Sequence, residues 1–193
     1  MGQVSETDGL TWSVATPLNG PPVDDDRWGE PGGKITAGPF GVEPKLAMQE
    51  NSGVLVLSTG RPRIYLWALP AGSDPLKDSW QPFDLGAIHN SSIRQARQAG
   101  TYTNDVPEWP ADFWTLWKAP DPHTGLMHPA GCCTTAYTGL VALPDSNELV
   151  ITYDMIAREC PKRVCQSHPT VHPCGCDLIV SMKLVVSLAS VLR

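Results

Sequence analysis

The chain has 193 residues, enough for one domain with its own hydrophobic core. Its 19 prolines and 17 glycines disfavour long helices and favour short strands joined by turns. The net charge of −6 gives no basic surface for phosphates, so nucleic acid is not an expected partner. The apolar run over residues 178–192 contains Lys183 and is too short to cross a bilayer. We therefore expect no transmembrane segment and predict a buried strand there.

Five segments have the composition of strands bounded by turns. They are rich in Val, Ile, Leu and aromatic residues, and Gly, Pro, Asn or Asp flank each of them. The predicted strands are residues 54–59, 64–69, 139–144, 148–154 and 178–186. Short turns, GRPR and DSN, join the first four as two hairpins. No segment sustains a helical period, although residues 91–100 fit a short helix or a loop. The predicted class is all-β.

Two polar turns that end in tryptophan indicate a repeated unit. The segments SETDGLTW (residues 5–12) and GSDPLKDSW (residues 72–80) are 68 residues apart, and a short Pro-containing stretch follows each. Ser and Asp side chains satisfy the backbone of such a turn, Gly adopts a positive φ, and Trp packs into the apolar layer beneath. Repetition of this kind predicts four-stranded units, as in a β-propeller.

Six cysteines form two groups. They are Cys132, Cys133, Cys160, Cys165, Cys174 and Cys176. An even, clustered set predicts disulfides and an oxidising compartment. A metal site is the alternative, because two histidines lie between the last cysteines, but the C-x4-C-x8-C-x-C spacing matches no common zinc pattern. Free thiols are a third option, and we treat residues 157–177 as a Cys-rich insertion without a predicted metal.

The two polar turns resemble the Asp-box, or BNR repeat, of sialidases, with the pattern S-x-D-x-G-x-T-W. Residues 5–12 match at Ser, Gly, Thr and Trp, with the aspartate moved one place to Asp8. Residues 72–80 keep Ser73, Asp74 and Trp80 but lack the glycine of the pattern. Two longer stretches carry a more specific resemblance. GVEPKLAMQENSGVLVLSTGRPRIYLW resembles the sialidase blade that bears a glutamate and an arginine, and TAYTGLVALPDSNELVITYD resembles the blade with the catalytic tyrosine.

This resemblance implies a partial six-bladed β-propeller of the sialidase type, with about three blades over residues 1–193. Because residues 5–12 resemble half of a hairpin, we expect the chain to be the C-terminal part of such a propeller, beginning within a blade. The implied activity, for a complete chain, is that of an exo-α-sialidase without a cofactor. It would release terminal sialic acid from glycoproteins, glycolipids and oligosaccharides. A secreted protein or one of the lysosomal or vesicular lumen is expected.

Sialic acid carries a carboxylate on its anomeric carbon, which would repel a carboxylate nucleophile, and sialidases use a tyrosine instead. A phenol is neutral at rest, and a nearby glutamate can accept its proton during attack. Arginines bind the substrate carboxylate through bidentate hydrogen bonds. By resemblance, Tyr137 is the nucleophile and Glu43 its partner. Arg61 binds the substrate carboxylate, and Asp154, in place of the usual glutamate at the end of a strand, orients an arginine.

Several family features have no match in this sequence. The first arginine and the acid/base aspartate are missing, and the region expected to supply the third arginine holds only Arg94 and Arg97. His89 and two further histidines are expected in loops and receive no role. These departures favour an alternative function, a non-catalytic propeller that binds glycans or proteins.

Overall fold

A computed structural model gives the structure of this protein. It describes residues 2–3, 5, 7, 11–23, 36–39, 43–60, 64–102, 106, 108, 138–157 and 176–188. Within these residues the chain forms mostly strands, with one helix. The elements are β1 (Pro22–Val23), β2 (Thr36–Ala37), β3 (Lys45–Met48), β4 (Leu55–Thr59), β5 (Tyr65–Leu69), β6 (Gln81–Asp84), α1 (Leu85–Gln98), β7 (Thr138–Ala142), β8 (Glu148–Ala157) and β9 (Cys176–Val185).

The strands form three antiparallel sheets in which sequence neighbours pair. The sheets are the ribbon β1-β2, the four-stranded sheet β3-β4-β5-β6 and the three-stranded sheet β7-β8-β9. All five predicted strands are confirmed, as β4, β5, β7, β8 and β9, with ends within three residues of the prediction. Each sheet is open in the part of the chain that the structure describes, so the architecture is a set of stacked β-layers with a helix.

The four-stranded sheet is covered on both faces. One face packs against the three-stranded sheet through a core of aliphatic residues and Tyr153: Val54, Val56, Ile64, Leu66, Ala68, Leu149, Ile151 and Val180. The other face packs Leu57, Trp67 and Trp80 against Leu18 and Val23 of the N-terminal layer. Gly38 permits this second contact, because it has a φ of 77° and a Cβ there would lie 2.0 Å from the Leu18 carbonyl oxygen. Burial on both faces explains why β4 and β5 are nearly continuous apolar runs.

The second polar turn, residues 72–80, adopts the predicted chemistry. Asp74 Oδ1 accepts a hydrogen bond from the Leu76 amide at 2.9 Å, and Asp78 Oδ2 accepts one from the Asp74 amide at 2.8 Å. Gly72 has a φ of 76°. Trp80 is only 2% exposed, and its indole donates to the Pro75 carbonyl at 3.0 Å. The side chains therefore satisfy the turn while the indole packs beneath it.

The first polar turn differs from this prediction. Thr7 Oγ1 accepts a hydrogen bond from the Thr11 amide at 2.8 Å, so a turn is present, but Trp12 is 61% exposed. Among the described residues flanking this turn, Gly2 and Thr16 pair as an isolated antiparallel bridge. Trp80 is buried because the four-stranded sheet supplies the apolar layer beneath it.

Helix α1 starts six residues before the segment that the sequence marked as helix or loop. Asp84 caps it, because the carboxylate accepts a hydrogen bond from the Ala87 amide at 3.1 Å. Leu85, His89 and Ile93 follow at intervals of four and are the buried residues of the helix. His89 therefore lies in a helix and not in the predicted loop.

Strand β9 is confirmed as a strand, but the prediction that it is buried is wrong for one of its faces. Ile179 is 83% exposed and Val185 is 54% exposed, because both lie on the face of β9 opposite to Val180, which packs into the core. β8 and β9 pair as far as Ala157 opposite Cys176. Residues 158–175 of the predicted Cys-rich insertion, and the five cysteines other than Cys176, lie outside the described residues, whereas Ala157 ends β8 and Cys176 begins β9. No described helix is long and apolar enough to span a membrane.

Candidate functional site

The two larger sheets have one end in common. In the four-stranded sheet this end is marked by Thr59, which pairs with Tyr65, and by Asp84, which also pairs with Tyr65. In the three-stranded sheet it is marked by Thr138, which pairs with Tyr153. We call this end the shared end. Strands β4, β6 and β8 run towards it, whereas β3, β5 and β7 start from it.

A buried hydrogen bond joins the sheets at the shared end. The hydroxyls of Ser58, on β4, and Thr138, on β7, are 2.8 Å apart, although the residues are 80 positions apart in the sequence. Both are almost fully buried. In a buried site, two hydroxyls that satisfy each other avoid the cost of leaving either without a partner. This bond fixes the end of β4 against the start of β7.

A buried histidine–tyrosine pair lies beside it. His89 Nδ1 on α1 is 2.6 Å from the Tyr153 hydroxyl on β8, and the two rings meet edge to face. Burial raises the pKa of the Tyr153 hydroxyl above its ordinary value, because an ionised phenolate is poorly solvated there. The pair holds the first half of α1 against the three-stranded sheet, so the helix helps to close the core at the shared end.

Opposite the shared end, the turns of the two sheets are also tied together. Gln49 is fully buried, and its Nε2 donates to the Asn147 carbonyl at 2.5 Å. Glu50 accepts a hydrogen bond from the Asp145 amide at 2.8 Å, and Asn51 donates to the Asp145 carbonyl at 3.1 Å. With both ends fixed, the two sheets cannot slide past each other without breaking these bonds.

Two of the four predicted site residues, Glu43 and Asp154, are among the described residues near the shared end. Glu43 stands two residues before β3, whose first residue, Lys45, pairs with Ser58. Its carboxylate is exposed and lies 3.8 Å from the Lys45 ammonium. Its φ of 46° is unusual for a residue with a side chain, and such outliers cluster at functional sites.

Asp154 adjoins Tyr153 in β8 and pairs with Ile179. It does not end the strand, as the sequence predicted, because β8 continues to Ala157. The other two predicted residues, Arg61 and Tyr137, lie outside the described residues. Their neighbours Gly60 and Thr138 are described, and both are buried at the shared end.

Two arginines on α1, Arg94 and Arg97, are engaged with a carboxylate. Arg94 donates to one oxygen of Glu108 at 3.0 Å, and Arg97 donates to the other at 2.6 Å. The Arg97 guanidinium also lies 5.0 Å from the centre of the Tyr102 ring, within cation–π distance. All three charged side chains are partly or largely exposed, so solvent screens their attraction.

The sequence analysis did not identify the buried polar residues that form hydrogen bonds at the shared end: Ser58, His89, Thr138 and Tyr153. Ser58 and Thr138 stand within apolar runs, where a lone hydroxyl gives no sign of its partner. His89 carried the one available signal, since it lies four residues from both Leu85 and Ile93, on the buried face of α1. No protein-family model matches this chain, and neither a curated protein nor a solved structure shows significant similarity to it.

Proposed function

We propose that this chain supplies the nucleophile and part of the carboxylate-binding site of an exo-sialidase, which releases terminal sialic acid from glycoproteins, glycolipids and oligosaccharides. The observation that carries the proposal is the buried bond between Ser58 and Thr138. Ser58 stands three positions before Arg61, and Thr138 directly follows Tyr137. Three residues span at most about 10 Å when extended, so we expect the side chains of Arg61 and Tyr137 to lie within reach of one monosaccharide.

The register of the strands supports the same grouping for the two acidic residues. Glu43 precedes the start of β3 at the shared end, and Asp154 lies next to Tyr153, which pairs with Thr138. Residues that are far apart in sequence therefore adjoin one end of the stacked sheets. A sheet-end location is typical of binding sites, because rigid strands position the residues that follow them.

In the proposed reaction, Arg61 binds the sialic acid carboxylate by a bidentate, charge-assisted hydrogen bond. Tyr137 attacks the anomeric carbon as Glu43 accepts its phenolic proton, and the glycosidic bond breaks as the leaving sugar oxygen takes a proton from solvent. Water then adds its hydroxyl to the anomeric carbon and returns a proton to solvent, while the bond to Tyr137 breaks and Glu43 gives the phenolic proton back to Tyr137. Asp154 orients a neighbouring cation. The propeller arrangement of about three blades is part of this proposal, and the two stacked antiparallel sheets agree with it.

A second candidate function is a non-catalytic propeller that binds glycans or proteins. The contacts of Arg94 and Arg97 favour it, because both guanidiniums are engaged with Glu108 and neither supplies the further arginine that catalysis would use. Under this alternative, Arg61 still contributes to the recognition of an acidic sugar, but no bond is cleaved.

Hydrolysis of a fluorogenic α-sialoside by the product of the complete gene tests the proposal. Tyr137→Phe is expected to abolish turnover, and Glu43→Gln to lower kcat by about 100- to 10,000-fold, as for loss of a general base. Arg61→Lys is expected to raise KM, because lysine lacks the bidentate fork. Tyr102→Phe is the matched control, since it removes a phenol that donates to the Val106 carbonyl and has no role in the proposed reaction.

Binding is measured in parallel, by titrating the chain with sialyllactose and with lactose. Binding of sialyllactose but not of lactose, without hydrolysis of the fluorogenic sialoside by the product of the complete gene, supports the second candidate function. Hydrolysis that survives Tyr137→Phe refutes tyrosine as the nucleophile. If the protein neither binds nor hydrolyses the sialosides, both candidate functions are refuted for sialic acid.

A further inference from the structure

Strand β9 presents a long edge of the three-stranded sheet. It has ten residues, about twice the usual strand length. In the part of the chain that the structure describes, β9 pairs with β8 on one side only. The amide and carbonyl groups along such an edge can pair with a further strand, which makes it a template for association.

The side chains of β9 alternate between two surfaces. Ile179, Ser181, Lys183 and Val185 are exposed on the outward face, whereas Val180, Met182 and Leu184 are partly or fully buried towards the core. Lys183 is the one cation of this outward stretch, and its ammonium is 2.9 Å from Glu148 Oε1. The outward face thus combines two large apolar side chains with a hydroxyl and a charge.

We propose that a second copy of this chain binds at the β9 edge, by antiparallel pairing of β9 with β9 about a two-fold axis at Met182. In this register, Ile179 lies opposite Val185 of the second copy, and Ser181 lies opposite Lys183. On the core side, Val180 lies opposite Leu184, and the two Met182 side chains meet. Apolar residues face apolar residues throughout, and the cation faces a hydroxyl.

The neighbouring two-fold registers are less favourable. An axis at Lys183 puts two ammonium groups opposite each other, which is destabilising. An axis at Ser181 puts Lys183 opposite Ile179. A shift of the pairing register by one residue puts outward-facing residues of one copy opposite core-facing residues of the other, because side chains alternate with a period of two. The sequence of β9 is therefore most self-complementary about Met182.

Among the described residues, the layer behind the sheet leaves this edge accessible. Strands β3 and β4 approach the three-stranded sheet at β7, which is the edge opposite β9. A second copy at β9 would extend the sheet to six strands, with β8 and β9 of both copies at its centre. Each copy carries a net charge of −6, so salt at physiological concentration is needed to screen their repulsion.

Sedimentation equilibrium of the purified chain, from low to high micromolar concentration, tests this proposal. The expected result is a monomer–dimer equilibrium. Ser181→Glu puts a carboxylate opposite Lys183 in two symmetric pairs and is expected to lower Kd by about two- to thirty-fold. Ser181→Lys creates two like-charge pairs and is expected to raise Kd by a similar factor. Ser79→Glu and Ser79→Lys make the same charge changes at an exposed serine that lies outside the three-stranded sheet.

Opposite responses to Glu and Lys at Ser181, with similar responses of the two variants at Ser79, support the β9 register. If a dimer forms but its Kd responds in the same way to Glu and to Lys at position 181, the dimer uses another surface and the proposal is overturned. If the parent chain and all four variants stay monomeric at every concentration, the proposal is also overturned. The β9 edge would then be available for pairing with a different protein. Circular dichroism spectra that match the parent protein confirm that the variants are folded.

Discussion

The hydroxyl pair between the two sheets provides the most direct test of the arrangement at the shared end. Ser58 and Thr138 are almost fully buried, and their oxygens are 2.8 Å apart. Ser58→Ala or Thr138→Val removes one hydroxyl and leaves the other buried without this bond. Each single change is expected to lower the free energy of unfolding by about 1–3 kcal/mol. Neither substitution opens a large cavity, since each removes or replaces one atom.

The double variant distinguishes a real bond from mere proximity. With both hydroxyls gone, no group is left unsatisfied, so the double change is expected to cost less than the sum of the singles. The difference, the interaction energy, is expected to be about 1 kcal/mol, within the range for residues in contact. Urea unfolding followed by tryptophan fluorescence measures it, because Trp67 and Trp80 are buried in the native state.

For a slope of about 2 kcal/mol/M, a loss of 2 kcal/mol moves the urea midpoint by about 1 M, well above experimental error. Ser79→Ala is the matched control, because Ser79 is exposed, and its effect is expected to stay within about 0.5 kcal/mol. Strict additivity of the two buried changes would refute the reasoning. It would mean that the hydroxyls do not interact and that β4 and β7 are held together by apolar packing alone.

Three further changes have defined outcomes. Trp80→Ala is expected to cost about 3–5 kcal/mol in urea unfolding, because the indole is buried, whereas Trp12→Ala is expected to stay within about 0.5 kcal/mol. Asp84→Ala removes the cap of α1 and is expected to cost about 0.5–2 kcal/mol, with weaker helical circular dichroism, and Asp84→Asn is expected to retain the cap. Burial raises the pKa of Tyr153, so the folded state stays protonated while an unfolded tyrosine ionises near pH ~10. Stability from Tyr153 is therefore present below that pH and lost as the pH rises above it, and Tyr153→Phe should remove this part of the alkaline loss.

Each of these expectations has a clear contrary result. Equal costs for the two tryptophan changes would mean that the two polar turns are equivalent after all. An unchanged helical signal in Asp84→Ala would show that α1 does not depend on its cap. Identical alkaline profiles for Tyr153→Phe and the parent protein would show that the buried hydroxyl does not contribute to the pH dependence of unfolding.

The sequence by itself determined five of the nine strands that the structure describes, because each of the five carries its own local signal. β4 and β5 are runs of apolar and β-branched residues between turn-forming residues, and their bounds follow from composition to within one residue. The turn at residues 72–80 was also predictable, since Asp74 and Asp78 bond the backbone of their own turn. Local chemistry of this kind does not depend on the rest of the fold.

Only the tertiary structure decided which residues meet at the shared end. Ser58 meets Thr138 across 80 positions, and His89 meets Tyr153 across 64, and neither pair has a sequence spacing that predicts contact. The packing of the layers also decided whether the tryptophan of each polar turn is buried, since a sheet covers Trp80 while Trp12 is exposed. The physical reason is that a strand's sequence fixes its alternation of faces, whereas burial and polar pairing depend on which layer packs against each face.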